Sequence, residues 1–74
     1  MNPTGHLNNQ RLIGRRDFLQ MLEAALDTKT YRFARLASLN WLAMFPGDLK
    51  VNLVVGEAQF GEAKMAQAIQ IFEK

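Results

Sequence analysis

The sequence predicts an all-α fold of about four helices, arranged as antiparallel helix-turn-helix hairpins. Three observations carry this. Apolar residues recur at spacings of three and four from Arg15 onward, Pro46-Gly47-Asp48 divides the helical stretch, and the β-branched residues 51–55 have no second β-rich run to pair with. The 74 residues hold one small domain at most. A chain of that size buries only about 60% of the surface its unfolded form exposes. With no cysteine, disulfide staples, thiolate metal sites and a cysteine nucleophile are all excluded.

Residues 1–14 are rich in Asn and Gly and show no apolar period, which predicts a flexible N-terminal arm. The helical domain is expected over residues 15–74. Its first helix carries Phe18, Leu22, Ala25 and Leu26 on one stripe, widened by Leu19 and Met21. Asp27-Thr28-Lys29-Thr30 interrupts that stripe, with Thr28 or Thr30 suited to cap the next helix. The second helix, over about residues 30–45, places Tyr31, Ala34, Ala37, Trp41 and Phe45 along one side. Pro46 cannot continue it, Gly47 is expected to take a positive φ, and Asp48 is a good N-cap for the next helix. That third helix is expected over residues 49–60, ended by Gly61. A fourth would start at Glu62 and carry Met65, Ala68, Ile69 and Phe72.

A shift of 34 residues lays the two halves over each other. Leu19 falls on Leu53, Glu23 on Glu57, Ala24 on Ala58 and Ala34 on Ala68. Pro46 closes the first unit, Gly56 comes ten residues later, and Ala68 and Phe72 stand four apart in the second unit. In this pattern the chain resembles the tetratricopeptide repeat family, with one repeat over about residues 15–48 and an incomplete second over 49–74. Phe18 occupies the family's aromatic position, whereas Ser38 stands where the large residue matching Phe72 is usual. The resemblance implies hairpins stacked as a right-handed superhelical array. In such packing, Gly56 and the alanines would let helices approach while Phe18, Trp41 and Phe72 fill the remaining holes.

The same resemblance implies a protein–protein interaction module with a groove lined by the first helix of each repeat. Its positions here are Arg16, Leu19, Gln20, Glu23 and Asp27, then Lys50, Leu53, Val54 and Glu57. Leu19, Glu23 and Val54 replace the Lys and Asn that clamp a C-terminal carboxylate in the family's chaperone-binding subclass, so a partly apolar protein or peptide partner is expected instead.

No enzyme constellation can be assembled. His6 is the only histidine and lies in the arm, and the pair Glu23 and Asp27 has no His or Cys beside it. The glycines match no phosphate-cradling spacing, so no catalytic residue, cofactor or metal is expected. Nucleic-acid binding through Arg11, Arg15, Arg16, Arg32 and Arg35 is a weaker reading, because the net charge is only +2 and Asp17, Glu23 and Asp27 interrupt the patch. A further alternative is a repeat segment of a larger bacterial-type transcriptional regulator.

No uncharged run approaches the ~20 apolar residues that cross a bilayer. Arg15 and Arg16 ahead of Phe18 and Leu19 resemble a twin-arginine export signal, but charged residues fill the stretch that should be apolar. A cytoplasmic location is therefore expected. The last helix spreads Met65, Ile69, Ile71 and Phe72 over more than one side. Arrays of this kind need about three repeats with a polar outer face, so the chain is expected to be part of a longer array. Pairing of two copies through Met65, Ile69 and Phe72 would then be the physical consequence.

Overall fold

The computed structural model describes residues 14–73, and these fold into three helices with no strand among them. The helices are α1 (Arg15–Asp27), α2 (Tyr31–Met44) and α3 (Leu49–Glu73). The expected arm, including His6 and Arg11, lies outside the described residues apart from Gly14, whose carbonyl accepts from the Phe18 N–H at 3.0 Å and opens α1.

α1 ends differently from expectation. Neither threonine caps α2 through its side chain. Lys29 takes the left-handed conformation at φ 61°, its N–H donates to the Leu26 carbonyl, and the Thr30 N–H donates to the Ala25 carbonyl at 2.8 Å. This pair of bonds is the Schellman stop, built here on lysine instead of the usual glycine. The Thr28 hydroxyl lies 3.0 Å from the Ala24 carbonyl, which also accepts the Thr28 N–H, so it serves the end of α1 and leaves the donors of α2 alone.

Residues 45–48 turn the chain from α2 into α3, and Gly47 does so without a positive φ. The decisive residue of this turn is Asp48, whose Oδ1 accepts from the Val51 N–H at 3.4 Å as an N-cap.

The largest correction concerns Gly61. It ends no helix: α3 runs 25 residues through it, and the four expected helices are three. A Cβ at this position would lie 2.5 Å from the Tyr31 ring, so Gly61 is the place where α3 lets the start of α2 approach. That role had been expected of Gly56, which instead faces open space.

The core draws on all three helices. Leu22 and Ala25 from α1, Ala34 from α2, and Val51, Val54 and Ala58 from α3 are buried. Phe18, Leu19, Leu26, Tyr31, Ala37, Trp41 and Leu42 pack around them. Ser38 is also fully buried, and its hydroxyl has no hydrogen-bond partner. Phe72, expected to fill a hole, is instead 88% exposed.

Candidate partner-binding surface

Two helix faces meet where the groove was expected. Leu19, Glu23, Leu26 and Asp27 of α1 and Lys50, Leu53, Val54 and Glu57 of α3 line a cleft of about 390 Å³. Helical spacing accounts for the meeting: positions 19, 23 and 26–27 share one side of α1, and 50, 53–54 and 57 share one side of α3. Arg16 and Gln20 are exposed but do not line the cleft. Within it, Val54 belongs to the core, whereas Leu53 keeps 66% of its surface exposed. A second depression of about 550 Å³ continues along α3, sharing Leu26, Asp27 and Glu57 with the first and adding Tyr31, Phe60 and Met65. Around the first cleft stand three carboxylates and one ammonium, a local negative balance in a chain whose net charge is +2.

Two ion pairs that sequence reasoning did not foresee tie the helices together, one joining α1 to α3 and one joining α2 to α3. Asp48 accepts from Arg15 Nε at 2.8 Å and Nη2 at 2.9 Å, and from Trp41 Nε1 at 2.9 Å. One carboxylate thereby joins the start of α1, the end of α2 and the start of α3. The Phe18 ring stacks on Trp41 with centroids 4.5 Å apart and planes 14° from parallel. Hydrogen bonds from Arg15 hold the Asp48 carboxyl well below the usual carboxylate range, against the opposing effect of partial burial. Trp41 and the Val51 N–H act in the same direction as Arg15. In the second pair, Arg35 Nε reaches Glu62 Oε1 at 2.6 Å and Nη2 reaches Oε2 at 3.2 Å, tying α2 to α3. The Glu62 carboxyl is lowered chiefly by this hydrogen bonding.

These pairs also bear on the arginine patch. Arg15 and Arg35 spend their planar donors on carboxylates within the fold. Arg16 and Arg32 are left as separate exposed charges on different helices. Among the described residues, no group of three His, Cys, Asp or Glu is placed to hold a metal ion, and no helix is long and apolar enough to cross a membrane. The outward side chains Met65 (45% exposed), Ile69 (54%) and Phe72 line the far half of α3. Comparison with known protein families, curated proteins and solved structures finds no match to this chain.

Proposed function

We propose that the chain is a protein-binding module of tetratricopeptide-like build, with the α1/α3 cleft as its docking groove and no chemistry of its own. The observation that carries this reading is Leu53, a large apolar side chain two-thirds exposed in the cleft between Lys50 and Glu57. An apolar residue so placed gains by being covered, and the polar residues flanking it set the register of its cover. The repeat reading is supported by α1 and α3 beginning at Arg15 and Leu49, 34 positions apart. The lining suits a partner with apolar side chains opposite Leu19, Leu26 and Leu53, and basic ones opposite Glu23, Asp27 and Glu57.

The test is a selection from a phage-displayed peptide library against the purified chain, then titration of the selected peptides. Sequences rich in Leu and in Lys or Arg are expected, with binding lost in Leu53→Glu and weakened at least tenfold in Glu57→Lys. Selected peptides that bind both variants as tightly as the original chain overturn the assignment of the groove.

A further inference from the structure

The chain exposes two apolar faces outside the groove, and its own geometry keeps them apart. One lies on the far half of α3, where Met65, Ile69 and Phe72 recur at helical spacing and are 45%, 54% and 88% exposed. The other lies on the side of α2 turned away from Ala34 and Ser38, where Phe33, Leu36 and Leu39 are 46%, 44% and 45% exposed. α3 passes the first residue of α2 where Gly61 meets the Tyr31 ring. Everything from Met65 onward therefore lies past the end of α2 and cannot return to cover it. A turn at Gly61 would have brought this segment back alongside α2 and α3; the straight helix carries it outward.

We propose that two copies of this chain pair by exchange, the far half of α3 from each copy lying on the outer face of α2 of the other. The lengths agree. At 1.5 Å per residue, Met65 to Phe72 spans about 10 Å and Phe33 to Leu39 about 9 Å. Area favours this arrangement over a simpler contact of one α3 end on the other. Taking roughly 200 Å² for a large apolar side chain, the exposed parts of all six residues amount to about 1,300 Å² over two copies. That reaches the range of stable interfaces, about 1,200–2,000 Å². The stripe of Met65, Ile69 and Phe72 alone would supply about 750 Å², less than the exchange does, and would leave Phe33, Leu36 and Leu39 in water. Exchange also closes on itself: each copy gives one α3 end and receives one, so the assembly stops at two.

This pairing uses surfaces other than the docking groove, and the experiment separates the two. The solution mass is measured by light scattering over a concentration series for the original chain and for Phe72→Glu, Leu36→Glu and Leu53→Glu, with helix content checked by circular dichroism. The original chain and Leu53→Glu are expected to be dimers. Phe72→Glu and Leu36→Glu should each dimerise at least tenfold more weakly while keeping their helix content. Leu36→Gln replaces Leu36→Glu if the charge reduces helix content. A monomer at every concentration overturns the proposal. So does a Leu36 variant that dimerises like the original, since that is the behaviour of α3 ends meeting each other. Loss of dimer in Leu53→Glu also overturns it, by placing self-association in the groove.

Discussion

Val51 and Phe72 lie on one stripe of one helix, three heptads apart, yet Val51 has no exposed surface and Phe72 keeps 88% of its own. The near half of α3 is packed by α1 and α2, pinned by Asp48 and capped. The far half repeats the same spacing of apolar residues and meets nothing in its own chain beyond the α1–α2 turn. The difference owes nothing to helix propensity or pattern, which continue unbroken through Gly61. It arises because α2 begins at Tyr31, level with Gly61, so the covering surface runs out before the stripe does. An apolar stripe specifies that a face must be covered and is silent on its cover.

The most severe way to test that contrast is to truncate one side chain in each half. Leu22 is fully buried against the near half, and Leu22→Ala should cost about 2–5 kcal/mol. That is comparable to the ~3–5 kcal/mol a core of this size supplies, so circular dichroism should show a largely unfolded chain at room temperature. Phe72→Ala, measured at a concentration where the chain is monomeric, should change the stability measured by urea unfolding by no more than about 0.5 kcal/mol. Equal losses in the two variants would mean the far half is packed after all.

Smaller but more pointed is the pair of glycines. Gly61→Ala places a methyl group 2.5 Å from the Tyr31 ring, an overpacking cost of about 1–3 kcal/mol. Against this stands the ~1 kcal/mol that alanine gains over glycine inside a helix, leaving a net loss of about 1 kcal/mol. Gly56→Ala meets open space and should gain about 0.5–1 kcal/mol. If Gly61→Ala stabilises the chain as Gly56→Ala does, the Tyr31 contact is not what stops the packed half at that level.

The same two glycines show which features were legible in the residues alone. The first two helices and the start of the third were, because the 3.6-residue period and Pro46 are local signals; α1 begins at Arg15 and α3 at Leu49. Whether a glycine breaks a helix or admits a neighbour depends on a residue elsewhere in the chain. Gly61 is decided by Tyr31, 30 positions earlier. The faces that line the α1/α3 cleft were legible to the same depth. Spacing put Leu19 and Glu23 on one face and Lys50, Leu53 and Glu57 on another, and those faces do line one cleft. It could not distinguish Leu53 from Val54. One helical step of rotation separates an exposed leucine from a buried valine, and the packing of α1 and α2 sets that rotation. The Arg15–Asp48 pair joins residues 33 positions apart and carried no local signal beyond the capping role of Asp48.

The smallest expected effect is a change in pH dependence, and its value lies in isolating the pinned end of α3. Asp48 in the unfolded chain titrates near the ordinary aspartate value of about 3.9. In the fold, the Arg15 hydrogen bonds hold it well below that. A folded pKa below the unfolded one means the unfolded chain takes up the proton first. The stabilisation is complete above about pH 4 and is lost progressively as pH falls from there toward the folded value. Glu62 shifts in the same direction through Arg35 and adds to the same slope. Urea midpoints should therefore be flat from about pH 7 to 5 and fall below about pH 4. In Asp48→Asn that fall should be shallower, with only the Glu62 part remaining, and its midpoint should already be lower at neutral pH because the bidentate partner of Arg15 is gone. At a concentration where the chain is monomeric, Phe72→Ala should track the original chain throughout. An Asp48→Asn midpoint that falls as steeply as the original would place the acid sensitivity elsewhere. The three-helix knot at Asp48 would then not be what holds the packed half together.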